Sequence, residues 1–406
     1  MCGLAGILQR KPHVESLTAN IDRMTDALSH RGPDDRGVWI DREHGHIALG
    51  HRRLAILDMS PRGAQPMISA DERYVLVFNG EIYNFRRLRD TLQSKGHRFR
   101  STSDTEVVLA AFVEWGIEAA LRAFEGMFAF AVWDRAHQAL YLARDRFGEK
   151  PLYYGAHDGV LLFGSELKAL ARHDRFADDI DRGALTELMR LTYIPCPLSI
   201  FRHYRKLPQG CYLRVDADLE LGEPTRYFDI DTLACAAPEP LSDKDAIDEL
   251  ERLLSASIAD RMVADVPVGA FLSGGIDSSL IVSMMQAHTN RPIQTFTIGF
   301  DDPTINEAPQ ARATASALGT EHHELQVSND DLLGVVPRLA QIYDEPFADP
   351  AQIPATLLSS LARAQVTVAL SGDGGDELLA GYHHYNDIGR HWRQHSRTSP
   401  ALYGLQ

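Results

Sequence analysis

The stretch from Val266 to Met285 restricts the fold of this chain more than any other. Its apolar run, Val266, Val268, Phe271 and Leu272, reads as a buried strand. Ser273, Gly274 and Gly275 follow, and then a helix through Leu280, Ile281, Val282, Met284 and Met285. A strand that turns through glycines into a helix start presents backbone N–H groups to an anion. Gly274 and Gly275 admit backbone angles and close approaches that a Cβ would block. Ser273, Ser278 and Ser279 add hydroxyl donors, and Asp277 adds a carboxylate suited to Mg²⁺ beside a polyphosphate. No lysine follows the glycines, so this is not the loop that transfers a γ-phosphoryl group.

A Gly-Gly turn before a helix is on its own usually just a loop. The full string Ser-Gly-Gly-Ile-Asp-Ser-Ser at 273–279 is far more specific, and it resembles the pyrophosphate loop of the ATP pyrophosphatases. Around it the pattern alternates. Strands are expected at 294–300, 323–327 and 366–370. Helices are expected at 243–264 with Asp243 as cap, at 307–318, at 330–343 despite Pro337, and at 351–364. Such alternation implies a mostly parallel sheet covered on both faces, with ligands at the carboxyl ends of its strands. The turn after the last strand, Ser371-Gly-Asp-Gly-Gly-Asp-Glu377, is too rich in glycine and carboxylate to be a good helix start without a ligand. Asp277 and Asp376, at neighbouring strand ends, suit a shared Mg²⁺.

The N-terminal half carries a different set. Cys2 follows the initiator methionine, and removal of Met1 would leave Cys2 with a free α-amine titrating near ~8. That amine is able to accept the thiol proton near neutral pH. The strand 74–84 carries Asn79 and Gly80, a side-chain amide beside an unobstructed backbone N–H, which suits an oxyanion hole. Ser103 or Asp104 is expected to cap the helix that starts near 106, 126–133 reads as a buried strand, and 141–154 as strand, polar turn and strand.

Together Met1-Cys2-Gly3, His30-Arg-Gly-Pro33, Arg53-Leu54, Asn79-Gly-Glu-Ile-Tyr-Asn84 and Arg144-Asp145 resemble the glutamine-hydrolysing domain of class II amidotransferases. That resemblance implies an N-terminal-nucleophile fold, an α/β/β/α sandwich. It implies that Cys2 attacks the side-chain amide of glutamine and that Asn79 and Gly80 form the oxyanion hole. Arg53 would clamp the α-carboxylate, Asp104 with Glu81 would hold the α-amine, and Leu54, Ala55, Ile56 and Leu57 would line the substrate. A zwitterion needs one cation and one anion, and this set supplies both.

Ser371-Gly-Asp-Gly-Gly-Asp-Glu377 and Asp344-Glu-Pro-Phe-Ala-Asp349 resemble asparagine synthetases, as does the proline-containing segment 193–213. By that resemblance Leu272, Ser273, Gly274, Gly275, Asp277, Ser278, Ile298, Ser371 and Gly372 would contact ATP. Asp373 would sit where an acyl-adenylate forms, and Asp277 and Asp376 would hold Mg²⁺. The fold class implied is two-domain α/β: the sandwich at 1–205, a connecting segment and Ala-Pro-Glu linker at 206–242, and a doubly wound parallel sheet of the ATP-pyrophosphatase type at 243–406. Family members continue past the 371–377 turn and supply a lysine to the adenylation step. No counterpart of it is assignable here, so the second domain reads as C-terminally incomplete.

The activity implied is glutamine-dependent amidation of an adenylated carboxylate, aspartate above all, with ammonia passing internally between the sites. Rival readings change the acceptor to a carboxylated sugar of a surface polysaccharide or a peptide-like carboxylate, or leave only a glutaminase. Composition narrows the field. A net charge of −15 argues against a broad nucleic-acid surface. The longest clean apolar run, near 127–133, is too short to span a bilayer. Cys2, Cys196, Cys211 and Cys235 show neither zinc nor disulfide spacing, as expected in a reducing cytoplasm. The expected partners are small molecules, glutamine, ATP and aspartate, and the resemblance admits a homodimer.

Overall fold

The computed structural model describes residues 1–235 and 240–395. Residues 236–239, inside the Ala-Pro-Glu linker, and 396–406, the end of the polar tail, lie outside the described residues. The chain divides into two units. One comprises Met1–Leu250 with Val263–Asp265 and Gly334–Gln352, and the other comprises Glu251–Met262, Val266–Leu333 and the chain from Ile353 onward.

In the first unit the central strands, Gly3–Gln9, Tyr74–Ile82, Gly126–Asp134 and Val160–Gly164 among them, form because apolar residues fill both faces of each ribbon. The strands are β1 (Gly3–Gln9), β2 (Asp35–Ile40), β3 (Ile47–Arg53), β4 (Met67–Ile68), β5 (Tyr74–Ile82) and β6 (Gly126–Asp134). Then come β7 (Ala139–Arg144), β8 (Tyr153–His157), β9 (Val160–Gly164), β10 (Arg205–Lys206), β11 (Cys211–Asp216) and β12 (Thr225–Arg226). They build two six-stranded sheets, ordered β10-β8-β9-β1-β3-β2 and β12-β11-β7-β6-β5-β4. Their pairings are antiparallel.

Alternation assigns each side chain to a layer. Leu4 and Leu8 of β1 pack between the sheets with Val75 and Val77 of β5 and Trp133 of β6. Ala5 and Ile7 point the other way, onto Leu17, Ile21 and Met24 of the helix Val14–Asp26. On the far side Leu76 and Phe78 of β5 pack against Val108, Ala111 and Phe112 of the helix Asp104–Trp115. The unit is therefore the α/β/β/α sandwich expected from the sequence. Because β6 is buried on both faces over most of its length, 126–133 reads as an unbroken apolar run.

Three local expectations are revised. Residues 206–242 do more than connect, since Cys211–Asp216 pairs with β7 and extends the second sheet. Asp243 is the first residue of the helix Asp243–Arg261, and the cap is Ser242, whose Oγ accepts from Asp245 N at 3.2 Å. Pro337 does break its helix. Asn329–Val335 gives way to a 3₁₀ turn at Val336–Arg338 and a last turn at Leu339–Ile342, because proline supplies no N–H to the ladder.

The second unit holds β13 (Val268–Phe271), β14 (Gln294–Phe300), β15 (Glu321–Val327) and β16 (Val368–Leu370), ordered β15-β14-β13-β16 and parallel throughout. Ala270 and Leu272 face a cluster with Ile258, Val282, Met285 and Ala311. Phe271 faces the opposite cluster of Phe296, Ala362 and Val366. Helices thus cover both faces, as in a doubly wound sheet. Strand order reverses at β13, whose neighbours are β14 and β16, and a crevice opens at the carboxyl ends of strands at such a reversal.

Phe112 anchors the outer layer of the sandwich: it is buried, with ring centroids 5.3 Å from Phe130, 6.0 Å from Tyr74 and 6.1 Å from Phe124. Replacing Phe112 by alanine is expected to lower stability by about 3–5 kcal/mol, read from urea unfolding followed by tryptophan fluorescence.

Candidate active site

The N-terminal cavity is assembled from the ends of β1, β3 and β5 and the start of the helix Asp104–Trp115. Cys2, Arg53, Leu54, Ile56, Leu57, Asn79, Gly80, Glu81 and Asp104 all line it. Ala55, also expected there, does not; its N–H donates to Asp34 Oδ2 at 2.9 Å and its side chain is buried elsewhere.

Cys2 Sγ lies 3.4 Å from Leu54 N, which donates to it, and 3.5 Å from Leu54 O. The carbonyl of Cys2 accepts from Arg31 Nε at 2.8 Å. Burial pushes the thiol above its ordinary value, although the Leu54 N–H and the chain's terminal amine oppose that rise. Such a thiol is mostly protonated at neutral pH and needs a base to become a nucleophile.

Asn79 sits in the middle of β5 opposite Ala129, 1 % exposed, and its Nδ2 has no hydrogen-bond partner. A buried amide donor left unsatisfied costs about 1–3 kcal/mol, so its persistence points to a ligand acceptor. Gly80 follows, pressed against β6; a Cβ there would fall 2.2 Å from Met127 O. Only glycine lets the two strands close at that level.

Arg53 is buried, yet its guanidinium is anchored by backbone. Nη1 donates to Ser60 O at 3.1 Å, and Nη2 donates to Leu57 O at 3.2 Å and to Asp58 O. Gly63 makes room for it, since a Cβ would fall 2.1 Å from Nη2. The loop that offers these carbonyls is held by Asp58, whose carboxylate accepts from Ser60 N at 3.0 Å and Thr102 N at 2.7 Å. Asp104 is buried in the same cavity and accepts from Ile82 N at 2.9 Å. Burial raises its proton affinity and outweighs the hydrogen bonds from Ile82 and Thr105. Ser103, not Asp104, caps the helix, its Oγ accepting from Thr105 N at 3.2 Å. Asp104 is therefore left to face the cavity.

Sequence reasoning missed two neighbours of this site. Lys150 lines the cavity with its side chain buried, and Gln65 braces β5, its Oε1 accepting from Phe78 N at 2.6 Å. Lys150 had a signal: it closes the turn opened by Arg144-Asp145. Gln65 stands among turn residues and had none.

A second cavity of the first unit shares Met1 and is lined by Arg31, Glu166, Ile342 and Asp344. Glu166 is its hub. It pairs with Arg31 at 2.7 Å, His30 at 2.9 Å and Lys168 at 3.3 Å, and Lys168 reaches Asp344 at 3.2 Å. Burial works against the charged carboxylate, but the His30 hydrogen bond and the Arg31 charge hold it at about 2.

In the second unit the expected nucleotide residues gather at the crevice. Gly274 has φ +82, and a Cβ would fall 2.7 Å from Ala311 N. Ser278 is buried and Ser273 is exposed. Their hydroxyls lie 3.0 Å apart, Ser278 Oγ accepts from Ser273 N at 3.2 Å, and Ser273 Oγ accepts from Gly275 N at 3.2 Å. They lock the loop. Leu272 N donates to Phe296 O at 2.9 Å, and Ile298 is buried in β14. The 371–377 turn packs directly on this loop: a Cβ on Gly372 would fall 2.9 Å from Ser278 N, and one on Gly375 2.4 Å from Asp277 Oδ2. Asp373 is exposed and accepts from Ser371 Oγ at 2.9 Å, and Asp376 follows on the same turn. Asp277 and Asp376 thus stand in the first turns of the helices Ile276–Ala287 and Gly375–Leu379, which follow abutting loops, and offer hard oxygen donors that fit Mg²⁺. Among the described residues no group of three or more His, Cys, Asp or Glu side chains is placed to hold a metal. An ion here would take its remaining ligands from phosphate and water.

Residues 1–228 match the glutamine amidotransferase domain family, and residues 249–405 match the asparagine synthase family. Among curated proteins, asparagine synthetase [glutamine-hydrolyzing] 1 of Bacillus subtilis is 38% identical over 391 residues, covering 95% of this chain and 60% of that one. A putative asparagine synthetase of Mycobacterium tuberculosis H37Rv is 39% identical, with 95% and 61% covered. A second putative asparagine synthetase, from Methanocaldococcus jannaschii, is 35% identical, with 94% and 76% covered. The chain spans about 60% of the length of the first two.

The Glu166 carboxylate, ordinarily near 4.5 and here at about 2, contributes stability that is complete above its unfolded value and is lost as pH falls toward 2. Wild type is expected to lose about 2 kcal/mol more than Glu166→Gln between pH 5 and pH 3. Paired urea titrations at the two pH values measure the difference.

Proposed function

The chain belongs to the glutamine-hydrolysing asparagine synthetase family, and from that premise we propose that it amidates aspartate with nitrogen taken from glutamine. One observation carries the reading: the buried Asn79 amide, without a partner, in the cavity that also holds Cys2, Arg53 and Asp104.

In this reading Met1 is removed and Cys2 becomes the first residue. Glutamine enters as a zwitterion, its α-carboxylate on Arg53 and its α-amine on Asp104 and Glu81, with Leu54, Ile56 and Leu57 along its stem. The Cys2 α-amine takes the thiol proton, and the thiolate adds to the side-chain amide carbon. Asn79 Nδ2 and the Gly80 N–H stabilise the oxyanion, a place where donors aimed at developing charge have most effect. The carbon–nitrogen bond breaks as the α-amine returns its proton to the leaving nitrogen. Ammonia departs, and water hydrolyses the thioester to glutamate. The cavity of Glu166 and Asp344, which adjoins through Met1, is the exit we assign to ammonia.

Aspartate is activated in the second unit. Its side-chain carboxylate displaces pyrophosphate from ATP, and ammonia then displaces AMP. Backbone of the Ser273–Ser278 loop orients the phosphates, Leu272 and Ile298 flank the nucleoside, and Asp373 lies beside the acceptor. Asp277 and Asp376 would hold Mg²⁺, which when bound neutralises charge on the pyrophosphate leaving group. In the division we propose, residues 1–205 carry the glutaminase, 206–242 connect while completing its second sheet, and 243–406 carry the synthetase half. A cytoplasmic setting suits four cysteines that are all unbridged.

The test is purified chain with glutamine, aspartate, ATP and Mg²⁺, followed for glutamate, pyrophosphate and asparagine. Asparagine and pyrophosphate are expected in equal amounts. Glutamate without pyrophosphate would overturn the synthetase half of the proposal and leave a glutaminase. Asn79→Ala is expected to lower the kcat for glutamate release about 10²–10³-fold with little change in KM. Cys2→Ala should abolish glutamine-dependent synthesis while ammonia still supports it.

A further inference from the structure

Lys150 is a buried cation beside the Cys2 cavity, 6 % exposed, and the glutaminase chemistry above makes no use of it. Its position is fixed. Asp145, wholly buried, accepts from the backbone N–H groups of Phe128, Phe147, Glu149 and Lys150 at 3.0–3.2 Å. Arg144 donates to Gly148 O at 2.6 Å and to Lys150 O and Leu207 O at 2.8 Å. This turn therefore delivers the ammonium to the cavity wall and holds it there.

The partner it meets is peculiar. Lys150 Nζ donates to Met1 Sδ at 3.3 Å. A thioether is a weak acceptor for a buried ammonium, and Met1 is the residue whose removal exposes the amine of Cys2. Excision empties the space that the Met1 side chain fills, in the cavity that Lys150 and Cys2 both line. We propose that Lys150 is a positioning residue whose charge keeps the Cys2 α-amine in its proton-accepting form near neutral pH. The inference rests on the reading above that Met1 is removed and the amine is the base.

The physical sign is plain. A like charge in a poorly solvated cavity disfavours the ammonium form of its neighbour. A free α-amine titrates near ~8, so at neutral pH most of it would be protonated and useless as a base. Other charges act on the same pair. Arg31 reinforces Lys150, whereas Glu81 on β5, and Glu149 and Asp145 on its own turn, favour its charged form against the cost of burial. Arg53 and Asp104 face Cys2 with opposite signs. Lys150 and Arg31 both touch the terminal residue to be removed, at 3.3 Å and 4.0 Å from Met1 Sδ, but the Arg31 charge is paired with Glu166 at 2.7 Å.

The test reads the amine itself. In a Cys2→Ala background, which keeps a small second residue and takes the thiol away, intact mass confirms loss of Met1. The pH dependence of trace acylation then gives the α-amine pKa. Lys150→Met, close in shape and uncharged, is expected to raise that pKa by about one unit, and Lys150→Arg to leave it where it was. In the Cys2 enzyme the acid limb of kcat/KM for glutamate release should move up by the same amount, with rates converging above pH 9. An unchanged amine pKa in Lys150→Met would overturn the inference. So would a loss of rate equal at every pH, which is the mark of a merely structural lysine. Absence of glutamate release in the wild type would count against the proposed function instead, and the acylation series would still decide the role of Lys150.

Discussion

Burying a cation and an anion in one small cavity without letting them neutralise each other is the constraint on which the first site depends. Arg53 and Asp104 are each satisfied locally, one by three carbonyls and the other by the Ile82 N–H and neighbouring hydroxyls. Hydrogen bonds from dipoles hold a charge in place but leave its field uncancelled. A zwitterion that bridges the two gains from both ends, whereas an amide lacking either charged group gains from one. Gly63 and Asp58 are then explained as well. The first gives the guanidinium its space, and the second fixes the loop whose carbonyls hold it.

The same principle of fixed charge runs outward from Cys2. Its carbonyl is held by Arg31, Arg31 by Glu166, and Lys168 joins Glu166 to Asp344. Asp344 is far along the chain, in the stretch Gly334–Gln352 that belongs to the first unit although the residues on both sides of it belong to the second. Glu345 ties the same stretch to the first unit through Lys206 at 2.7 Å and the Ile200 N–H at 2.7 Å. Buried pairs of this kind repay their desolvation only when the geometry is good, and removing one partner leaves the other charge stranded. The network is therefore better understood as fixing where this stretch lies than as a reserve of stability.

Much of this was legible beforehand. The sandwich could be read because runs such as 126–133 carry no polar residue that would place them at a surface, and the parallel sheet because strands and helices alternate after residue 266. That Asn79 and Gly80 share a cavity with Cys2, and that the loop at 273–277 abuts the turn at 371–375, was foreshadowed because both are local strings whose shape depends on neighbours in sequence. What escaped was set by contacts distant along the chain. The Pro337 break was misjudged because the apolar spacing continues through it. Lys150 and Glu166 acquire their meaning only from residues more than a hundred positions away, Met1 and Arg31. The hydroxyls of Ser273 and Ser278 also bond to each other across the loop, a contact that the string of residues does not announce.

That last point separates the two sites. The first presents side chains, with Arg53 and Asn79 on paired strands, Cys2 just ahead of β1 and Asp104 at a helix start, so its selectivity lies in charge and amide geometry. The second is built from backbone. Gly274 tucks the loop beneath the helix Ala308–Leu318, and Gly372 and Gly375 let the turn after β16 lie on the start of the helix Ile276–Ala287. A methyl group on Gly274 or Gly372 would meet backbone, and one on Gly375 would displace the Asp277 carboxylate. In the function proposed above, the place of the polyphosphate is thus set by how closely two glycine loops approach at the reversal of strand order. The hydroxyls and carboxylates there act only because that approach has been made.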